Sequence, residues 1–175
     1  TLRYDIDLID EIWEDRPPLS TKEAFDLPTQ FTGESREDKI RRIREKMMEY
    51  GATHQISSAL DDNCWMLNIR GDDVRYSPLV LSYAIVSMDT LSLYIDEQKL
   101  PASLRSDLEK ANIKFRPYNA IYEDIRELPK ESRVLIDPSK INFALVNSIP
   151  KEVKMIEAPN PAILMKAIKN DTELA

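Results

Sequence analysis

Two β-rich runs, residues 82–88 and 91–96, are separated in this chain only by Asp89 and Thr90. A connection this short predicts an antiparallel β-hairpin, although Asp-Thr is not a dipeptide that hairpin turns favour. Elsewhere, strand-like runs alternate with helical patterns, as in sheets built from parallel strands. A chain with both features is expected to form an α/β fold of three layers (α/β/α), with a mixed β-sheet covered by helices on both faces.

The clearest helix is predicted from Ser35 to Tyr50. Ser35 and Asp38 have the spacing of a capping box, and apolar residues recur on one side of the segment at helical spacing. Gly51 is well placed to end the helix in a left-handed conformation. The other predicted elements are strands over residues 53–57, 65–69, 113–116, 133–136 and 152–156, and helices over residues 4–14, 101–111 and 120–128, from Asp137 and from Asn160.

Residues 16–33 contain Pro, Ser, Thr and Gly without periodicity, which is typical of a linker. We therefore predict that residues 1–32 are the tail of a preceding domain and a linker. The main domain is predicted over 33–158, and 159–175 are predicted to start a further linker helix. The chain has no initial Met and ends with helical composition, so we expect both ends to be boundaries inside a longer protein.

The composition argues against several classes of protein. With 175 residues and 42% hydrophobic content, the chain has enough apolar side chains for one core. A net charge of −7 argues against nucleic-acid binding, since phosphate contacts need clustered Lys and Arg. Cys64 is the only cysteine, so no disulfide can form within the chain, which fits the reducing cytoplasm. The sequence has no apolar run of ~20 residues for a membrane helix and no signal peptide.

A loop crowded with charge follows a predicted strand at Arg70. Such loops at strand ends are where α/β proteins place binding groups. Arg70 could pair with a carboxylate or a peptide carbonyl, and Asp73 could contact a free peptide amine. Alternatively, Arg70 and Asp73 form a structural pair that fixes the turn, and the sequence favours neither interpretation. Asp72 is expected to be solvated, and Tyr76 and Tyr83 are candidates for an interface, since tyrosine suits half-wet surfaces.

The sequence predicts neither a metal site nor a nucleophile. His54 is the only histidine and has no carboxylate close in sequence, so we interpret it as a packed or edge-strand side chain. Cys64 and Trp65 lie inside an apolar run, which favours burial in the core over redox chemistry or substrate stacking. Two acidic pairs lack the spacing of a calcium loop, and a predicted strand separates them. These pairs are Asp61-Asp62 and Asp72-Asp73.

Several segments resemble the three-domain Xaa-Pro aminopeptidases (aminopeptidase P family), in collinear order from about Leu8 to Glu173. Asn68-Ile-Arg-Gly-Asp-Asp-Val74 resembles the Asn-Leu-Arg-Gly-x-Asp-Val/Ile signature of their middle domain. Asp10 to Pro17 resembles the segment that closes their first domain. The other matching segments are Tyr76-Ser-Pro78, Ser82-Tyr-Ala-Ile85, Leu93-Tyr-Ile-Asp96 and Lys166-Ala-Ile-Lys-Asn-Asp-Thr-Glu173. Each motif alone is modest, and their common order makes the match specific.

This resemblance implies a creatinase/prolidase N-terminal-type domain with a ribonuclease H-like motif. The family removes the N-terminal residue from peptides whose second residue is proline. It uses two divalent metal ions, usually manganese, held by two aspartates, one histidine and two glutamates. Those ligands belong to a C-terminal catalytic domain that this chain is expected to lack, so the resemblance implies an inactive, metal-free fragment without catalytic residues. The implied partners are that catalytic domain, an upstream domain, an Xaa-Pro peptide and a second copy of the full-length enzyme.

Two other interpretations stay open. One is a stand-alone binding module, because relatives of these peptidases, including a histone-chaperone subunit, use this fold without catalysis and an acidic surface suits a basic partner. The other is a related Xaa-Pro dipeptidase or creatinase. The pattern Trp13-x-x-Arg16-Pro17 argues against the second, because it implies a further domain upstream.

Overall fold

The structure is a computed structural model that describes residues 8–175, so residues 4–7 of the first predicted helix lie outside the described residues. The helices are α1 (Leu8–Ile12), α2 (Thr29–Thr32), α3 (Arg36–Glu49), α4 (Leu60–Leu67), α5 (Ala102–Lys110), α6 (Ile121–Arg126), α7 (Phe143–Ser148), α8 (Pro161–Ala167) and α9 (Asp171–Leu174). The strands are β1 (Phe25–Asp26), β2 (His54–Ser57), β3 (Ile69–Arg70), β4 (Tyr83–Ser87), β5 (Leu91–Tyr94), β6 (Ile113–Arg116), β7 (Arg133–Ile136) and β8 (Lys154–Glu157).

Within residues 8–175, six strands form one mixed sheet in the order β6-β5-β4-β2-β7-β8. Strand β4 runs antiparallel to its neighbours β2 and β5, while the other adjacent pairs are parallel. The predicted hairpin is confirmed, because Tyr83 lies opposite Tyr94. The Ser87 amide closes the turn by donating to the Thr90 carbonyl at 2.9 Å.

Helices cover both faces of this sheet, which confirms the predicted layers. On one face, α3 and α5 contribute Ile43 and Leu108 to a core that includes Val86 of β4. On the other face, Ile121 of α6 packs in a second core with Ile85. Because successive side chains of a strand point to opposite faces, the neighbours Ile85 and Val86 belong to different cores.

Helix α3 begins and ends as its sequence predicts. The Ser35 Oγ accepts a hydrogen bond from the Asp38 amide at 3.1 Å, which satisfies one of the free N–H groups of the first turn. After the last turn, Gly51 has a φ of 70°, a conformation that costs a glycine little. The short strand predicted over residues 53–57 follows directly as β2.

The strand predicted over residues 65–69 is wrong. Residues Leu60–Leu67 form helix α4, and only Ile69 and Arg70 are extended, paired with β1. Periodicity alone does not distinguish a short buried strand from a short buried helix. The helix has an acidic pair in its first turn, where carboxylates interact favourably with the helix dipole. Asn68 then ends it in the left-handed region with a φ of 53°.

The helix predicted from Asp137 is also wrong, because α7 begins later, at Phe143. The Asp137 carboxylate accepts hydrogen bonds from the Ser139 and Asn160 amides, each at 2.9 Å. Asp137 therefore stabilises a turn at the end of β7, a role that Asp-Pro sequences fill as readily as a helix start. The N-cap of α7 is Asn142.

Residues 16–33, which we interpreted as a linker, also contribute to the fold. Their strand β1 pairs antiparallel with β3. Ala24 is buried, and its amide donates to the Lys99 carbonyl at 2.8 Å. The stretch is thus attached to the main domain, while the predicted division of the chain near residues 32 and 158 stays a prediction.

The C-terminal segment, residues 158–175, leaves the sheet after β8. The helix predicted from Asn160 is confirmed as α8, with Pro161 as its first residue. The Asn160 side chain caps this helix by accepting from the Ala162 amide at 3.0 Å. The short helix α9 follows.

Met47 and Met48 are neighbours on α3 in opposite environments, because Met47 is fully buried and Met48 is 60% exposed. We expect Met47→Ala to lower the free energy of unfolding by about 2–5 kcal/mol, through lost apolar contacts and a residual cavity. Met48→Ala is the matched control and should change it by less than about 0.5 kcal/mol. Equilibrium unfolding in urea measures both, and equal effects would contradict the assigned core face of α3.

Candidate functional site

Five parallel strands of the described sheet end at one edge, which we call the carboxyl edge, and the antiparallel β4 begins there. Ligands of open α/β sheets bind outside the carboxyl ends of the strands. Residues 71–82, which we call the edge loop, connect β3 to β4 and therefore reach the sheet at this edge. The edge loop includes most of the charged segment that the sequence singles out.

The edge loop folds back on itself. The Gly71 amide donates to the Pro78 carbonyl at 3.4 Å. A Cβ atom at Gly71 would lie 2.7 Å from Val80 Cγ2, so the close approach of the two sides of the loop favours glycine. At the tip, Tyr76 has a φ of 64° and is 89% exposed. The loop thus presents an aromatic ring to solvent on a compact turn.

A buried ion pair attaches the edge loop to the domain. The Asp73 carboxylate accepts hydrogen bonds from Lys99 Nζ and from the Leu81 amide, both at 2.7 Å. The side chains of Asp73 and Lys99 are only 1% and 2% exposed. Burial opposes ionisation of Asp73, but the Lys99 and Leu81 hydrogen bonds outweigh it and hold the pKa of Asp73 below its ordinary value. Asp73 is therefore a charged brace within the loop.

Arg70 has different partners. Its Nη1 donates to the Cys64 carbonyl at 2.9 Å and to the Ile69 carbonyl at 2.8 Å. A cation at these carbonyls, at the C-terminal end of α4, interacts favourably with the helix dipole. Of the two interpretations left open by the sequence, a direct pair of Arg70 and Asp73 is absent, because within the described part of the chain Lys99 is the cation bound to Asp73.

Three half-buried tyrosines lie together at the carboxyl edge. The ring of Tyr83 is 4.9 Å from that of Tyr118 and 6.4 Å from that of Tyr122, measured between centroids. Burial, reinforced by the neighbouring hydroxyls, raises the pKa of Tyr83 to about 12 and that of Tyr122 to about 12. These phenols therefore stay protonated at neutral pH and can donate hydrogen bonds.

A buried lysine holds the C-terminal end of α4. Lys39 of α3 is 1% exposed, and its Nζ donates to Asn68 Oδ1 at 2.6 Å and to the Trp65 carbonyl at 3.1 Å. The same ammonium lies 4.6 Å from the centroid of the Trp65 ring, as in a cation–π contact. Burial lowers the pKa of Lys39 to about 8.

In a comparison of the sequence with models of known protein families, the creatinase/prolidase N-terminal domain matches residues 15–173. This family assignment agrees with the mixed sheet and helical layers described above. The chain belongs to this family. Xaa-Pro aminopeptidase 1 of Dictyostelium discoideum is 35% identical over 172 residues, which cover 97% of this chain and 27% of that protein. A probable Xaa-Pro aminopeptidase P of Laccaria bicolor is 37% identical over 174 residues, covering 95% of this chain and 26% of that protein. The chain thus spans about a quarter of the length of these curated relatives.

Solved structures agree with the family. An X-prolyl aminopeptidase from Caenorhabditis elegans, described as a cytosolic enzyme with a di-nuclear active site, superposes with a TM-score of 0.89 at 32% identity, over 96% of this chain and 28% of that chain. The prolidase from Pyrococcus horikoshii, at 17% identity and a TM-score of 0.53, covers 78% of this chain and 37% of its own and shares the fold. The expected creatinase/prolidase N-terminal fold is confirmed. Among residues 8–175, no helix combines the length and apolarity needed to cross a bilayer.

Within residues 8–175 of this creatinase/prolidase N-terminal domain, no group of three or more His, Cys, Asp and Glu side chains is arranged to hold a metal ion. His54 Nδ1 lies 2.9 Å from Thr53 Oγ1, and burial lowers the pKa of His54. Cys64 is buried and accepts a hydrogen bond from the Val80 amide, and burial raises the pKa of its thiol. The predicted core positions of Cys64 and Trp65 are confirmed.

The four predicted site residues belong to different local environments. Arg70 caps α4, Asp73 braces the edge loop, Tyr76 forms its tip and Tyr83 lies among other tyrosines, as described above. Sequence reasoning missed the partners that give these positions their geometry. Tyr118 could have been found, because it follows a predicted strand that ends at the carboxyl edge. The other missed residues are Lys39, Lys99 and Tyr122.

Asp73→Asn should destabilise the domain strongly, because it leaves the Lys99 ammonium buried without a counter-charge. We expect the free energy of unfolding at pH 7 to fall by about 3–5 kcal/mol. Asp72→Asn is the matched control, since Asp72 is exposed and its partner Lys22 is exposed too, and its effect should stay below about 1 kcal/mol. Urea unfolding of both variants measures the difference.

The pH dependence provides a second readout of the same ion pair. Because the pKa of Asp73 lies below its ordinary value of 3.8, the stability from the ionised carboxylate is fully present above 3.8. It is lost as the pH falls through the lower pKa of the folded state. The stability difference between wild type and Asp73→Asn should therefore shrink in acid, and a constant difference would contradict this assignment.

Proposed function

We propose that the protein is an Xaa-Pro aminopeptidase and that this chain is its non-catalytic middle domain. The full-length enzyme would release the N-terminal residue from peptides whose second residue is proline. The observation that carries this proposal is the similarity to Xaa-Pro aminopeptidases over nearly the whole chain. The prolidase, in contrast, shares only the fold at 17% identity. The match to a relative described as cytosolic also supports a cytoplasmic location.

The described residues do not fit a di-nuclear metal site. His54 is half-buried in a central strand and contacts a threonine hydroxyl, and no cluster of acidic or histidine ligands surrounds it in the described chain. In this proposal the two metal ions, manganese by family resemblance, belong to a catalytic domain outside this chain. The middle domain then contributes shape and hydrogen bonds, and the proposed partners are the catalytic domain, an upstream domain, the Xaa-Pro peptide and a second copy of the enzyme.

The edge loop gives this domain a way to restrict access of substrate to the catalytic domain. The buried Asp73–Lys99 pair fixes the loop, so the exposed Tyr76 ring is presented from a defined position. A fixed wall near the bound N-terminus would reject longer or internal peptide segments by steric exclusion. Tyr83, with its neutral hydroxyl, suits hydrogen bonding to peptide carbonyls. Arg70 is half-buried against α4, and its Nη1 already donates to two carbonyls of the domain. Its proposed contact with substrate or the catalytic domain would therefore use the other nitrogens of the guanidinium.

The proposal is tested by comparing the full-length protein with this chain alone. With manganese present, the full-length protein should cleave a tripeptide whose second residue is proline, and the purified chain should not. Release of the first amino acid, measured by chromatography, is the readout. Cleavage by the chain alone would contradict the non-catalytic role. A full-length protein that cleaves no such peptide would favour the stand-alone binding module.

In the full-length enzyme, Tyr76→Ala should lower kcat/KM for Xaa-Pro peptides without changing the melting temperature. The physical reason is that Tyr76 makes few contacts within the domain but forms the tip of the edge loop. We expect a loss of about tenfold, the typical range for one well-packed aromatic contact. Met48→Ala, an exposed apolar truncation on α3, is the control and should leave kcat/KM unchanged. An unchanged kcat/KM in Tyr76→Ala would remove the edge loop from the proposed substrate path.

A further inference from the structure

A cluster of polar groups lies where α8 meets the carboxyl edge, and Asp62 and Asn160 in it are buried. Asn160 Nδ2 donates to Asp62 Oδ2 at 2.8 Å, and Asn160 Oδ1 accepts from Gln55 Nε2 at 2.8 Å. Lys166, six residues after Asn160 and within α8, donates from Nζ to Asp62 Oδ1 at 2.6 Å. The same ammonium also contacts Asp61. We call Asp62, Asn160 and Lys166 the exit cluster.

The exit cluster joins elements that are distant in sequence. Asp62 lies in α4, and its side chain is 2% exposed. Gln55 lies in β2, near the centre of the sheet, and Asp137 follows β7 and accepts from the Asn160 amide. The partners described here therefore lie in β2, just after β7 and in α4. Lys166 is the cation that binds the Asp62 carboxylate in the described chain, so its loss would leave a buried charge unpaired.

Helix α8 cannot hold its position by itself. It has seven residues, and helices this short are not stable alone in water. The face of α8 that points away from the domain carries apolar side chains that are exposed to solvent. Leu164 is 67% exposed, and Ile168, just after the helix, is 66% exposed. It buries Pro161 and Ala162, and Met165 packs partly buried against the main core. This apolar contact holds α8 near the domain, but hydrophobic attraction has no preferred direction, so polar contacts with fixed partners are needed to set its orientation.

A second attachment follows at α9. Asn170 Nδ2 donates to the Thr32 carbonyl at 2.8 Å, and its Oδ1 accepts from the Glu173 amide at 3.0 Å. Gly33 makes room for this contact, because a Cβ atom there would lie 2.3 Å from Asn170 Oδ1. The C-terminal segment is thus attached at two points. The exit cluster attaches α8, and Asn170 attaches the start of α9.

We propose that Asp62, Asn160 and Lys166 act as positioning residues that fix the orientation of α8 on the carboxyl edge. The polar contacts set the direction in which the C-terminal segment leaves the sheet, and Ala162 and Met165 make their apolar contacts in that orientation. This claim concerns the chain itself and does not depend on the proposed function. Its consequence for an Xaa-Pro aminopeptidase, that the cluster orients the catalytic domain against the edge loop, does rest on that function.

Hydrogen exchange of the 175-residue chain tests the proposal. Lys166→Met keeps the aliphatic stem and removes the ammonium. We expect amide exchange in α8 to accelerate by about tenfold or more, while β2, β4 and β5 keep their protection. Lys169→Met removes the same charge three residues later, where the lysine is exposed and, within the described chain, donates to the Lys166 carbonyl and to no carboxylate. This control should leave exchange in α8 unchanged.

A distance measurement reads the orientation directly. Spin labels at Ser106→Cys on α5 and Leu164→Cys on α8 are both at exposed positions, and the natural Cys64 is too buried to be labelled. Pulsed dipolar spectroscopy should give one narrow distance distribution for the native cluster and a broad one for Lys166→Met. Asp62→Asn combined with Lys166→Met removes both charges, so it should fold even where the single variant does not, and it should also broaden the distribution.

Two results would overturn the proposal. One is a folded cluster variant whose α8 keeps native exchange protection and a narrow distance distribution. The other is acceleration that is equal in α8 and in the sheet, because it would make the cluster a general source of stability and not a positioning device. Neither readout involves a peptide substrate, so failure here is distinguishable from failure of the proposed peptidase function.

Discussion

The antiparallel pairing of β4 with β2 decides at which edge of the sheet the edge loop lies. Because β4 runs against its neighbours, it starts at the edge where β2, β5 and β6 end. The edge loop must therefore reach the carboxyl edge before the chain can enter β4, and it arrives beside Tyr118, which follows β6. With β4 parallel, the same loop would have entered the sheet from the opposite edge, away from the strand ends that bind ligands in α/β proteins. One reversed strand thus brings the charged loop and the tyrosines to the same edge.

Two buried lysines then make this arrangement rigid. The negative charge of Asp73, in the edge loop, is balanced by the positive charge of Lys99, which lies outside the loop in the same domain. Lys39 has no carboxylate among its hydrogen-bond partners in the described chain; carbonyl and amide oxygens and the Trp65 ring surround it instead. A buried charge is costly unless its partners are well placed, so both lysines favour one arrangement of α4 and the edge loop over alternatives. Since Lys39 binds the residues that end α4, it also fixes the point from which Arg70 projects.

The sequence was sufficient for elements whose signals are local, and insufficient where tertiary contacts decide. The cap at Ser35, the glycine at position 51 and the hairpin around Asp89 are each specified within a few residues, and all three are predicted correctly. Helix α4 was predicted as a strand, because an eight-residue segment that is buried nearly all round has no amphipathic period. For the charged loop, the sequence left open whether Asp73 contacts a ligand or pairs with the nearby Arg70. Its actual partner, Lys99, is 26 residues away, and no local pattern indicates it.

The charges of the carboxyl edge limit what it can recognise. Asp73 is already bound by Lys99, and Arg70 donates to carbonyls of its own domain, so these residues offer little free charge. The hydroxyls of Tyr83 and Tyr122 are protonated at physiological pH, as ordinary phenols are, and burial raises their pKa values further, to about 12. The edge loop still exposes charge at its tip, because Asp72 and Arg75 are solvated and Asp72 pairs only with the exposed Lys22 among the described residues. The carboxyl edge thus combines a buried ion pair that the domain itself neutralises with tyrosine hydroxyls and a loop tip at which Arg75 and Tyr76 are exposed.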